Sequence, residues 1–515
     1  MIAPPRANPP RSISGTFRFA GLLLLVLLSL VGSGASSLVY QVAWFRELGV
    51  IFGVTVQATS AVLASFMAGL ALGSLAAARI VPRLRNPFLI YGLIELGIGL
   101  TGFASLAALA VLQPLTRELV LTLGDQPTML GLLRFALAFT ILLIPTTLMG
   151  ATLPVLLSAP VLREREHGAT IGLIYAANTF GAIAGALTAG FILIGQYGLT
   201  VTVALAAGVN TGVGLVWLVA AGYTRRAPAG EAPTPPTGTP AYPPAVTTAV
   251  LVSYALSGGI ALAYEVVWTR LLAGIFPGSV YAFAVMLSAI LGGIAVGSWL
   301  ITPLMNRQLS WPLVYVVLQL GMALTALLSL HILGQAYGIE AAVRARLAPD
   351  EGLLLGEPWY MALFSMLAIG PVALLMGVTF PVAARIFTVG QAQVGRRLGV
   401  IYGANVLGGL AGSLAGGLIV IPAVGAHGAI ALLAVLNAIA GAVVLLVLPL
   451  ASIGSGGVRV VLRLGIAAAL VAAPAVASAT PADFYETLFA QHPARRAASL
   501  VPRGTGRHRA DLSRR

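Results

Sequence analysis

Apolar runs long enough to cross a bilayer recur from Phe17 to Leu450, parted by short polar breaks. A hydrocarbon core takes about 20 apolar residues per helix. The runs therefore predict membrane spans at 17–43, 54–80, 87–113, 130–160, 168–195 and 199–222. A second series follows at 247–270, 279–304, 311–335, 358–387, 397–423 and 426–450, with a weaker thirteenth span in 451–480. The first run follows Arg6, Arg11 and Arg18 in the manner of a signal peptide. It continues to Trp44, longer than a cleaved apolar region, and so reads as a span. The organisation expected is a cytoplasmic segment 1–16, a six-helix unit 17–222, a linker 223–246, a six-helix unit 247–450, and a basic, unstructured tail 481–515. The linker stretch APAGEAPTPPTGTPAYPP cannot hold a helix, because proline fixes φ and removes a donor.

The two series are copies of one another. SGASSLVYQVAWFRELGVIFG from Ser33 aligns with SGGIALAYEVVWTRLLAGIFP from Ser257, an offset of 224 residues. Tyr40 then matches Tyr264, Trp44 matches Trp268, Arg46 matches Arg270, and Gly69 and Gly73 match Gly293 and Gly297. Later the offset is 227, pairing MGATLPV (Met149–Val155) with MGVTFPV (Met376–Val382) and GLIYAANTFG (Gly172–Gly181) with GVIYGANVLG (Gly399–Gly408). An even number of spans separates the copies, so both halves share one orientation. Such a parallel repeat, about an axis along the membrane normal, predicts an all-α, major-facilitator-like bundle of 12–13 helices.

Small residues at every fourth position, as in Gly69/Gly73, Gly181/Gly185 and Gly408/Gly412/Gly416, predict close helix contacts. Pro154 and Pro381 fall in equivalent spans, where a kink is tolerated only if the freed carbonyl finds another partner.

Ionisable groups at membrane depth are expensive and mark candidate sites. Glu95 lies in the third span, and its mate in the second copy is Gln319; Gln41 in the first span has Glu265 as its mate. Packing of the first and third helices would then set a carboxylate beside an amide in each half. Burial favours the neutral form of a lone carboxyl group, which suits such a group to carry a proton or bind a cation. For Glu265 an ion pair with Arg270 is the plainer reading. Tyr40, Tyr264, Trp44 and Trp268 are either interfacial aromatics or walls of a cage for an amine. Asn178 and Asn405 are either interhelical hydrogen-bond partners or ligand contacts. Arg134, at the start of the fourth span, is expected to reach outward to the interface.

Composition narrows the chemistry. Of 515 residues, 58% are hydrophobic and 9% charged, against roughly 25% charged in a soluble domain. Cysteine is absent, and the 29 basic residues are all arginine. Disulfides, thiolate chemistry, lysine Schiff bases and a Gly-Lys phosphate loop are thereby excluded. His167, His331, His427, His492 and His508 have no ligand spacing, so neither a metal nor another cofactor is implied. The +14 balance reflects membrane topology rather than a nucleic-acid partner. With the amino terminus inside, inner segments carry Arg79, Arg83, Arg85, Arg163, Arg165, Arg225, Arg226, Arg307, Arg385, Arg396 and Arg397. Outer loops carry Arg46, Arg117, Arg270, Arg344 and Arg346 among Glu118, Asp125, Glu340, Asp350, Glu351 and Glu357.

The pattern SGxxxLxYxxxWxRxL, a Gly-x₃-Gly-Ser span, MGxTxPV and IYxxNxxGxxxG, present in both copies across about residues 20–450, resembles the membrane part of bacterial fused major-facilitator/spermidine synthases. The resemblance implies a polyamine or related cation as ligand and, in complete members, a following Rossmann-like aminopropyltransferase domain. Here Asp483, Phe484, Tyr485 and Glu486 are followed by the tail RRAASLVPRGTGRHRADLSRR, without the glycine-rich loop of that domain. No catalytic residue is carried over, and the tail reads as a truncated or frame-shifted remnant. The sequence thus points to a bacterial inner-membrane carrier for a small cation, with Glu95, Glu265, Gln41, Gln319, Tyr40, Tyr264, Asn178 and Asn405 as candidate binding residues. A synthase lacking its catalytic half and a scaffold for a synthase partner are the alternatives.

Overall fold

The computed structural model describes residues 13–52, 55–123, 125–159, 167–223, 242–305, 307–347, 354–388 and 394–448. The expected thirteenth span and basic tail, and most of the linker, lie outside these residues. The first half comprises α1 (Ile13–Phe52), α2 (Thr55–Ile80), α3 (Pro87–Leu123), α4 (Pro127–Leu157), α5 (His167–Thr188) and α6 (Ile194–Tyr223). The second comprises α7 (Pro244–Ile275), α8 (Ser279–Ile301), α9 (Trp311–Gly334), a short α10 (Ala336–Leu347), α11 (Pro358–Thr388), α12 (Val394–Ala415) and α13 (Ile421–Val447).

Among the described residues ten continuous helical runs are long and apolar enough to span a membrane. Two of them, Ala176–Gly222 and Val400–Val447, run 47 and 48 residues, about twice the length of one crossing. Each doubles back. Gly181 and Gly185 of α5 lie on the carbonyls of Val31 and Ala35, so α5 runs parallel to α1. Gly92 and Gly99 of α3 meet Gly214 and Ala207, so α6 runs antiparallel to α3. Ten runs therefore contain twelve crossings, six per half, in the parallel two-fold arrangement of major-facilitator-type proteins.

The repeat extends into backbone detail. Both doubled runs pass through a π turn, Ala189–Leu193 and Gly416–Val420, and then a glycine outside helical space. These are Gly198 (φ 76°, ψ 174°) and Gly425 (φ 70°, ψ 173°), again 227 apart. Only glycine occupies that region without strain. Pro154 and Pro381 leave the carbonyls of Gly150 and Gly377 without their helical donors. Ser74 Oγ of α2 donates to the first at 3.0 Å, and Ser298 Oγ of α8 to the second at 2.9 Å. The expected compensation for each proline is thus a serine on the neighbouring helix.

Glycine stripes seat the parallel pairs α1/α5, α2/α4, α7/α12 and α8/α11. A Cβ on Gly73 would strike the Thr147 carbonyl, and one on Gly297 the Leu374 carbonyl. The outer surface is apolar, with Leu100, Val111, Phe180 and Leu446 well exposed. For a bundle of such length and hydropathy, that surface faces lipid.

The halves meet unevenly. Toward the face opposite the amino terminus one hydrophobic core runs through both halves, from Leu38 and Phe45 to Phe283, Phe364 and Leu433. Phe45 stacks on Phe283 at 4.2 Å and Phe191 on Tyr281 at 5.2 Å across the junction. Toward the face that carries the amino terminus, the core divides. Val26, Phe88, Leu156 and Trp217 form one cluster within the first half, and Val250, Tyr315, Val382 and Ala438 another within the second.

Gly73→Ala and Gly297→Ala should each destabilise the protein by about 1–3 kcal/mol through forced helix separation. Thermal unfolding in detergent by size-exclusion fluorescence reads this as a lowered midpoint. Gly49→Ala, whose Cβ meets nothing, is the control.

Candidate functional site

Glu265 lies on α7, in the part of that helix that joins the core shared by the two halves. On α7 the divided core ends at Tyr254 and the shared core begins at Ile260. Glu265 follows Tyr254 by eleven residues, three helical turns, and so lies on the same line of the helix. Tyr254 on that line packs against Phe380 of α11 (6.2 Å). Glu265 is partly exposed although Tyr264 and Val266 beside it are wholly buried. No side chain among the described residues hydrogen-bonds or ion-pairs with its carboxylate, so the expected pair with Arg270 does not form; Arg344–Glu340 (3.4 Å) is an ion pair on the short α10.

Glu95 is in a different setting. It is fully buried among α1, α3 and α6 of the first half. Ser33 Oγ donates to its Oε1 at 2.7 Å and Asn210 Nδ2 to its Oε2 at 2.7 Å. Its repeat mate Gln319 is fully buried too, with Nε2 donating to the Tyr315 hydroxyl at 2.9 Å. That hydroxyl lies 3.0 Å from Ser253 Oγ.

The expected carboxylate–amide pairs are absent. No hydrogen bond joins Gln41 to Glu95 or Glu265 to Gln319 among the described residues. Gln41 lies eight residues beyond Ser33, about 12 Å along α1 from the level of Glu95 and turned about 80° away. The helices pack together as anticipated, but at a different register.

The aromatic residues are core, not interface or cage. Tyr40 stacks on Trp44 (5.6 Å) and Tyr264 on Trp268 (4.9 Å), all four wholly buried. The indole N–H of Trp44 donates to Ser105 Oγ at 2.8 Å and that of Trp268 to Ser329 Oγ at 3.2 Å. Tyr264 accepts from Asn437 Nδ2 at 3.3 Å, while the Tyr40 hydroxyl has no partner. Asn405 Nδ2 donates to the Tyr254 carbonyl at 2.9 Å, an interhelical bond. The half-buried Asn178 lies against Gly34 in the equivalent position. Arg134 does not extend fully outward, since its Nε is buried without a partner.

Asn210 and Asn437 were legible but unread: they stand at the 227 offset, as do Ser105 and Ser329 at 224. Tyr91 and Tyr315 share the 224 offset as well.

Neither a protein-family model nor a curated protein matches the sequence. Similar solved structures include PepTSo, a POT family transporter, 12% identical over 91% of this chain and 98% of that one, with a TM-score of 0.48. Another is a bacterial homolog to the human lysosomal transporter Spinster, 13% identical over 91% and 97%, with a TM-score of 0.49.

The chain lacks cysteine, so single cysteines report access directly. A cysteine at Glu265 should react with a hydrophilic thiol reagent, whereas one at Glu95 should stay unmodified until the protein unfolds. Equal labelling of the two would contradict the difference in their burial.

Proposed function

We propose that this protein is a carrier that moves a small cation through the cleft between its halves, with Glu265 as the acidic group that meets it. The observation that carries this reading is a partly exposed carboxylate without a protein partner where the parted core closes. Leaving such a charge unpaired in a low-dielectric interior costs several kcal/mol, so a cation or proton is its expected counterpart. The sealed face and the divided face correspond to one end state of alternating access. By the arginine bias the amino terminus lies in the cytoplasm of a bacterial cell, and the cleft then opens inward. Polyamines are the ligand class favoured by the resemblance to the fused major-facilitator/spermidine synthases.

The test is uptake of labelled spermidine or putrescine by proteoliposomes holding the purified chain. Glu265→Gln should lower uptake by about tenfold or more, the scale of one charge-assisted interaction of about 1.5–3 kcal/mol. A variant that still exchanges label but no longer accumulates it would assign Glu265 to a coupling proton instead of the cargo. Wild-type rates in Glu265→Gln would remove the carboxylate from the mechanism.

A further inference from the structure

We propose that Glu95 is a built proton-binding site, holding one proton as a neutral carboxylic acid that ties α1, α3 and α6 together. Three observations converge on it. The first is electrical isolation. Among the described residues the charged groups on α3 and on the helices around it are Arg18, Arg46 and Glu47 on α1, Arg117 and Glu118 on α3, Arg134 on α4, and Arg79 on α2, which packs on α1 and α4; α6 has none. Glu95 is level with Ser33 on α1, and Gly97 meets Leu148 on α4. Counted from those levels, the charges on α1, α3 and α4 are about 20 Å or more distant along the helix axes. Arg79 lies about 8 Å beyond the level of Ser74 but is exposed, with its guanidinium on the Leu75 carbonyl of its own helix. Among the described residues no ion pair reaches Glu95.

The second is hydrogen-bond chemistry. A carboxylic acid needs one acceptor for its proton and donors for its carbonyl oxygen. Ser33 Oγ, 2.7 Å from Oε1, can accept that proton, because a hydroxyl hydrogen is free to turn. Its own hydrogen then goes to the carbonyl one turn back, as Ser29, Ser36 and Ser37 on the same helix already do. Oε2 accepts from Asn210 Nδ2. The Tyr91 hydroxyl, one turn earlier on α3, stands beside the carboxyl at the margin of hydrogen-bond geometry.

The third is the repeat. The same position in the second half holds Gln319, whose amide has one donor side and one acceptor side, as a protonated carboxyl has. One scaffold position thus takes either an amide or its acid analogue. Asn210 is matched by Asn437, Tyr91 by Tyr315 and Ser33 by Ser257. The residue types are repeated but the contacts are not: Gln319 Nε2 donates to Tyr315 while its oxygen has no partner, and Asn437 turns to Tyr264. A neutral group is thus accepted at this position in both halves, and only Glu95 has partners for both of its oxygens.

Infrared spectra of the full-length protein at neutral pH test this directly. The carbonyl stretching band of a protonated carboxyl group should persist in Glu265→Gln, and the band left in that variant should vanish when Glu95→Gln is added. Glu95→Gln should keep the wild-type melting temperature, and Glu95→Ala should lower it. A band unchanged in Glu95→Gln would overturn the assignment, as would a clear loss of stability in that variant. Sodium-dependent stabilisation of the wild type that Glu95→Gln lacks would make the site a metal-cation site and overturn it equally.

Discussion

Inside a bilayer, burying apolar surface does little to bring helices together, because lipid is as apolar as leucine. What holds this bundle is close backbone approach. Gly73 on the Thr147 carbonyl, Gly185 on that of Ala35, Gly297 on that of Leu374 and Gly412 on that of Gly259 set the four parallel helix pairs. These contacts fix where everything else can go. Ser74 and Ser298 reach the carbonyls freed by Pro154 and Pro381 only because α2/α4 and α8/α11 run this close. Glycine is needed there for its absent Cβ. At Gly198 and Gly425 it is needed for its backbone freedom.

The pairs make two rigid halves; the junction between the halves is of another kind. Aromatic stacks and larger apolar side chains join them at one face, Phe45 on Phe283 and Phe191 on Tyr281. Side-chain contacts of that sort can be broken and remade by rocking, at no cost in backbone hydrogen bonds. Glycine seams cannot part without opening the bundle. Glycines also meet this junction, Gly190 against Ala284 and Gly417 against Ser60, but there each sits closest to a side chain and not to a carbonyl.

Most of this architecture was legible because it depends on periodicity. Span lengths follow from bilayer thickness, and the offsets of 224 and 227 gave both the repeat and its parallel sense. Register was not legible. Matching Glu95 to Gln319 and Gln41 to Glu265 was correct as alignment, yet the Gln41 amide sits about two turns from Glu95, so adjacency in a helix list did not become contact. The doubled runs through Gly198 and Gly425 hid two crossings from a count of helices, though the predicted spans had separated them by length. Tyr40, Trp44, Tyr264 and Trp268 looked amphipathic, and their buried serine partners could be found only from tertiary packing. A single sequence shows which residues are repeated, not which neighbour each one faces.

The two carboxyl groups stand at repeated positions in different settings. Both copies offer the same two positions, one on the first helix and one on the third, and each position holds an acid in one half and an amide in the other. At Glu95 both carboxyl oxygens have partners, Ser33 and Asn210, whereas Gln319 in the sister half keeps its oxygen without one. At Glu265 no side chain among the described residues bonds the carboxyl group. One pair of repeated positions thus holds its acid in a hydrogen-bonded pocket and the other leaves its acid open, so the halves are alike in helix packing and unlike in their polar groups.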